Sequence, residues 1–192
     1  MKIFSIIACA LLALSLQVSA QAPVALGPGA LKLGKIKVEA LKTPEFSLKS
    51  GGDKKTRSGD WIEIELEFDT KAEEIDELTL EYTVQVQGEK EVKLLDGLVT
   101  HIDIPKGREH FSVMYISPRS LEKLTGGKPV NAGIVQNVWV IAKRKGQQLD
   151  QLAVKNVAIP ALPHTPGVLL SKPETPFAPL YFDRYEAIKP SK

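Results

Sequence analysis

The 192-residue sequence carries 25 basic and 23 acidic side chains, a near balance that excludes the strongly basic surface of a nucleic-acid binder. Its single cysteine, Cys9, lies in a segment expected to be removed, so disulfides, thiol catalysis and cysteine-ligated metal centres are excluded from the mature chain. Roughly 170 mature residues are enough to bury about 70% of the unfolded surface, so the fold needs no covalent staple.

Lys2, the apolar run Ile3 to Leu16 and the small residues Val18, Ser19 and Ala20 follow the order of a secretory signal peptide, with cleavage expected after Ala20. The run is short of the ~20 apolar residues that a transmembrane helix requires, and nothing later approaches that length. Ile6, Ile7, Ala8 and Cys9 also spell a lipoprotein box, but too little apolar helix precedes Cys9, which is read as an ordinary residue of the signal. The mature protein is therefore expected outside the cytoplasm, which in a Gram-negative bacterium means the periplasm or the outer cell surface.

Gln21 to Gly34, rich in proline and glycine, reads as a flexible leader, and a β domain is expected from 35 to 159. Ile36 to Leu41 and Phe46 to Leu48 are short apolar runs, and Ser50 to Gly59, with Gly51, Gly52 and Asp53, is a polar surface loop. In Trp61 to Phe68, Ile62, Ile64, Leu66 and Phe68 alternate with Trp61, Glu63, Glu65 and Glu67. That period of two predicts a half-buried strand with its carboxylates on an open face, where they serve solubility and discourage edge pairing. Leu78 to Gln87 repeats the pattern with Leu78, Leu80, Tyr82, Val84 and Val86 inward. Gly88, Glu89 and Lys90 turn the chain, and Val92 and Leu94 begin the return.

Leu98 to Ser117 reads as a hairpin with Lys106 and Gly107 at its tip, pairing Ile102 with Phe111 and Thr100 with Val113. Leu98, Ile102, Ile104, Phe111, Val113 and Tyr115 would share one face. Ser117 as cap, Pro118 at the first position, Leu121, Leu124 and the stop at Gly126 and Gly127 predict a short helix. Ile134 to Lys143 is a mostly apolar, central strand, and Lys145 and Gly146 turn it toward a last strand or two through Leu149, Leu152, Val154 and Val157. Seven to nine short strands with almost no helix predict an all-β, antiparallel sandwich of immunoglobulin or fibronectin type, with a barrel as the alternative.

From 160 to 192 the recurring prolines deny the chain any central strand or helix. Phe177, Tyr181, Phe182 and Tyr185 nevertheless set this stretch apart from a disordered tail. Burying each ring contributes about 1.5 to 3 kcal/mol, so the segment is expected to dock, on its own domain or on a neighbour.

Motifs for metal, phosphate or acyl chemistry are missing: there is no HExxH, GxSxG, GxxxxGK or EF-hand loop, and neither a catalytic residue nor a cofactor or metal is assigned. In the expected hairpin His101, Asp103 and His110 come together as a possible two-histidine, one-carboxylate group, which is also what the solvated face of a hairpin looks like. His164 has no evident partner. The carboxylate row lacks the cleft and the divergent acidities that glycoside hydrolysis needs. Trp61 and Trp139 are candidates for stacking on a sugar, or are simply buried sandwich tryptophans.

The signal, the Trp61 to Phe68 strand, the Tyr82 strand, the Tyr115 to Leu124 hinge and the aromatic, proline-rich arm together resemble a family. It comprises the small secreted immunoglobulin-like proteins encoded with type IV pilus genes in verrucomicrobial gut bacteria. The resemblance implies an immunoglobulin-like fold, a pilus-associated or outer-surface location, self-association into a homo-oligomer and no enzymatic activity. It assigns no functional residue. The proline and glycine after Gln21, in place of a long helix, argue against a fibre-forming pilin. The function expected is therefore a non-enzymatic envelope protein with pilus or other envelope proteins as partners. A carbohydrate-binding module that takes glycans and a periplasmic chaperone-like sandwich are the alternatives.

Overall fold

The computed structural model describes residues 26–27, 29–46 and 58–190. The signal peptide, its cleavage point, most of the leader and the Gly51–Asp53 loop lie outside the described residues. Among those described, no helix is long and apolar enough to cross a membrane.

The fold is an all-β sandwich built around one very long hairpin. Its elements are β1 (Leu31–Lys42), β2 (Asp60–Gln87), β3 (Val92–Ile116), α1 (Pro118–Thr125), β4 (Val135–Arg144), β5 (Gln147–Ala153), β6 (His164–Pro166) and β7 (Leu169–Ser171). β2 and β3, 28 and 25 residues long, pair antiparallel from Gln87↔Val92 at the turn to Ile62↔Ile116 at the open end. Halfway along, register shifts between Phe68, Thr70 and Glu74 bend both strands together, as bulges do where a sheet turns a corner.

The bend folds the sheet onto itself. One layer holds β1, the first part of β2, the last part of β3 and β7, while the other holds β5, β4, the rest of β2, the start of β3 and β6. All pairings are antiparallel except the three-residue match of β6 with β3. At a far edge the layers are also stitched by the Leu33 N–H, which donates to Asp150 Oδ2 at 2.8 Å.

The inward faces follow the alternation. Ile62, Ile64, Leu66 and Phe68 of one layer and Leu78, Leu80, Tyr82, Val84 and Val86 of the other share a single core and are almost wholly excluded from solvent. At about 1.5 to 3 kcal/mol per side chain this burial is the main stabilising contribution. The layers approach closely at Gly97, where a Cβ would lie 2.6 Å from Leu169 Cβ and 2.7 Å from Met114 Cε. The helix α1 forms where the sequence places it, with the Ser117 hydroxyl accepting from the Ser120 N–H and Gly126 closing it in the left-handed conformation. β4 lies between β2 and β5, the central position that its apolar sequence predicts.

Three expectations are corrected. Leu98 to Ser117 is not a hairpin: Ile102 pairs with Glu77, Phe111 with Glu67, Thr100 with Thr79 and Val113 with Glu65, all on β2. Pro105, Lys106 and Gly107 form a bend instead, because β2 bends alongside and keeps β3 paired across it. The face assignment shifts accordingly, with Val99, Ile104, Met114 and Ile116 in the main core and Leu98 60% exposed. The short strands Trp61–Phe68 and Leu78–Gln87 are parts of one continuous strand. β1 begins at Leu31, inside the stretch assigned to the leader, and buries Leu31 and Leu33.

Candidate functional site: the face under the arm

The chain after Pro160 finishes the free edge of β3. β6 pairs with Leu94–Asp96 and β7 with Met114–Ile116, and residues 186–189 fill the gap between them. The Glu186 N–H donates to Phe111 O at 3.2 Å, the Ile102 N–H to Ala187 O at 3.0 Å and the Lys189 N–H to Thr100 O at 2.8 Å. Prolines are tolerated here because edge strands need only one side of their backbone. The arm thereby shields backbone groups that would otherwise template pairing with another chain. It docks on its own domain.

Between β7 and that last stretch the arm crosses the outer face of the first layer. Trp61, Val113, Tyr115 and Phe177 form a second buried cluster there, joined by Leu41, Leu170, Leu180 and Tyr185. The Phe177 ring stacks on Tyr115 with centroids 4.8 Å apart and meets Trp61 edge-on at 5.5 Å. Each such pair adds about 0.5 to 1.5 kcal/mol beyond burial. Lys172 is buried beside it, donating to Ala178 O at 3.0 Å and lying 5.4 Å from the Tyr185 ring centre. Burial lowers its pKa.

Glu63 and Glu65 of β2 sit under this cover, which corrects the open-face reading for these two. Glu63 is only 9% exposed and accepts from the Tyr115 hydroxyl at 2.9 Å. Burial pushes its carboxyl above the usual range, more than the Tyr115 hydrogen bond pulls it down. Glu65 receives both arms of the Arg184 guanidinium, at 2.9 and 2.8 Å, and the Tyr185 hydroxyl at 2.9 Å. Burial is the largest single influence on it and acts upward, but the Arg184 and Tyr185 hydrogen bonds with the Arg184 charge together hold it below its ordinary value. The guanidinium also lies 3.8 Å from the Phe111 ring centre, a cation–π contact.

Two histidines grip the end of the arm. His101, 1% exposed, faces Glu186 O through Nδ1 at 3.1 Å and Ser112 Oγ through Nε2 at 2.8 Å. A carbonyl only accepts, so the proton sits on Nδ1 and Nε2 accepts from Ser112, whose oxygen takes the Tyr82 O–H at 3.0 Å. Burial lowers the His101 pKa against the opposing pull of its Glu186 and Ala187 contacts. His110 stacks on Phe68 and meets Glu186 Oε1 through Nδ1 at 2.7 Å. Asp103 is exposed and stands apart from both rings' contacts. The two-histidine, one-carboxylate group therefore does not assemble, and among the described residues no three metal-ligating side chains gather.

Phe177 and Tyr185 thus lie in the docked cluster, but Tyr181 and Phe182 are 65% and 82% exposed, at the tip of the loop. Trp61 and Trp139 are each 7% exposed. Their ring N–H groups are spent internally, on Thr43 Oγ1 at 3.1 Å and on Val157 O at 2.7 Å, and little of either ring is open to stack on a sugar. His164 does have a partner, Asp96, at 2.8 Å. Sequence reasoning missed Lys172, Arg184 and Glu186. The readable signal was the run Asp183, Arg184, Tyr185, Glu186, whose cation and hydroxyl complement a one-sided row of carboxylates elsewhere in the chain.

Chemically, Glu63, Glu65, Tyr115, Arg184 and Tyr185 of this face are spent on other parts of the same chain. General acid and base groups must face a space that a substrate can enter, and here Tyr115, Arg184 and Tyr185 fill that space.

A protein-family model matches residues 23–192 of the chain. Among solved structures, one from Akkermansia muciniphila, a verrucomicrobial gut bacterium, is similar, with 21% identity over 84% of this chain and 94% of that chain and a TM-score of 0.72. No curated protein matches.

Proposed function

From the premise that the chain belongs to the family whose model spans residues 23–192, we propose a non-enzymatic protein of the bacterial envelope that works by contact. The supporting observation is the arm: Glu65 and both domain histidines clamp it onto the sandwich, leaving its tip exposed. Conserving a presented surface, rather than an accessible reactive group, is what this use of buried charge achieves.

The finer reading places the protein outside the cytoplasm after signal cleavage, self-associating and alongside type IV pilus proteins. It is supported by the export signal in the sequence and by the family resemblance. The sugar-stacking alternative loses its platform with the two buried indoles. The test is crosslinking in intact cells from a photoreactive side chain at position 182, with identification of the captured chains. Envelope or pilus proteins, or copies of the protein itself, support the reading. No captured protein together with turnover in a broad hydrolase screen refutes it.

A further inference from the structure

The clamped arm presents an unusual tip. Leu180 packs into the aromatic cluster and Arg184 is fixed to Glu65, and the Arg184 N–H closes the loop on Tyr181 O at 3.1 Å. Tyr181 sits at φ +52°, a conformation that bulky residues avoid at a cost of about 1 to 3 kcal/mol. Tyr181 and Phe182 thus stand in solvent on a short loop anchored on both sides, so little ordering entropy remains to be lost on binding.

A receptor for such a tip lies on the other outer face. β4 turns Trp139 and Ile141 outward, and β5 with the chain at 154–159 borders them to leave a hollow of about 360 Å³, its walls Ile141, Leu152, Val157 and Ile159 with the polar Gln151 and Asn156 at hand. Val154, Val157 and Ile159 at this segment are 51%, 57% and 39% exposed. Charge also matches: the exposed Asp183 adjoins Phe182, the exposed Lys155 adjoins Val154, and neither side chain has an ion-pair partner among the described residues. Tip and hollow belong to opposite layers, so they cannot meet within one copy.

We infer that the Tyr181–Phe182 tip of one copy seats in the Trp139–Ile159 hollow of the next, with Asp183 facing Lys155. This rests on the contact-protein reading above and makes its partner a second copy of the chain. Such a contact is heterologous, so every assembly keeps one free tip at one end and one free hollow at the other, and growth proceeds head to tail. Two aromatics bury about 150 to 250 Å² each, below the ~1,000 Å² of a stable interface, so single contacts are weak and the chain grows with concentration.

The experiment is sedimentation velocity over a concentration series, on protein exported from cells expressing the full chain, with circular dichroism to confirm folding of each variant. Expected for the wild type is a mass that climbs with concentration. Tyr181→Ser with Phe182→Ser, and separately Val157→Asp, should each weaken association about tenfold or more. Mixed together, the two variants should form a dimer that grows no further, since one supplies the sound hollow and the other the sound tip. Asp183→Lys should weaken association, and combining it with Lys155→Asp should restore it. A wild type that stays monomeric, association indifferent to the tip, or variants that fail to complement would each overturn the inference. If the monomer still captures other envelope proteins in cells, only this inference fails; if it captures nothing and turns over a substrate, the contact-protein reading fails with it.

Discussion

Replacing Phe177 by alanine tests whether the arm is held by its aromatic anchor. The ring is 4% exposed and touches Tyr115 and Trp61. Burial is worth about 1.5 to 3 kcal/mol and the two ring pairs about 0.5 to 1.5 kcal/mol each. Part is regained as Leu180 and Tyr185 settle into the space, leaving ~2 to 4 kcal/mol, within the range for truncating a buried phenylalanine only when the site relaxes. If the arm opens as a unit, the amides of Ile102, Glu186 and Lys189, which are protected only by the arm's pairing with β3, should exchange with solvent about 30- to 900-fold faster. Amides of the main core, such as Ile64 and Val84, should change far less. Hydrogen exchange read by NMR separates the two sets. Unchanged exchange at Ile102 and Lys189 would refute the anchoring argument, and equal acceleration everywhere would show that arm and sandwich unfold together.

Further outcomes follow from the buried charges and the close layer contact. Glu63 has a raised pKa, so its contribution is full below its unfolded value and is lost as pH rises through the folded one. Glu63→Gln keeps an acceptor for Tyr115 and should raise Tm at pH 7 while leaving it unchanged near pH 4. Glu65 has a lowered pKa, so its contribution is present above the unfolded value and lost as pH falls through the folded one; Glu65→Gln should flatten that acid limb in thermal melts. His101, whose pKa is lowered by burial, binds protons more readily unfolded than folded. Stability should decline as pH falls below ~6.5, and His101→Gln should lessen that slope in urea titrations at pH 7 and 5.5. Gly97→Ala drives a methyl into Leu169 and Met114 and should cost about 1 to 3 kcal/mol in urea unfolding.

Alternation carried the fold. Ile62 through Phe68 and Leu78 through Val86 reveal their buried faces in the letters alone, and Ser117, Pro118 and Gly126 mark the helix ends. The connection between them was not legible, because a proline, a lysine and a glycine spell a turn equally well whether the chain reverses or merely bends. Only pairing with β2, a non-local property, decides the matter. The same blindness concealed the role of Glu63 and Glu65: a charged row looks solvated until Tyr115 of β3 meets Glu63 and a segment more than a hundred residues away supplies Arg184 and Tyr185 to Glu65. Phe177 and Phe182 look alike in sequence, five positions apart, and what separates them is that Arg184 and Leu180 pin the loop between.

The unbroken β2–β3 ribbon also has a kinetic meaning. Both layers hang from one reversal at Gln87–Val92, so zipping outward from that single nucleus lays down the corner and half of each layer before any distant segment is recruited. Sandwiches whose central strands cross between layers by long loops must instead close those loops first, and they fold slowly for that reason. Cutting this chain at Lys90 and rejoining its ends elsewhere should therefore slow refolding more than an equivalent cut between Lys145 and Gly146.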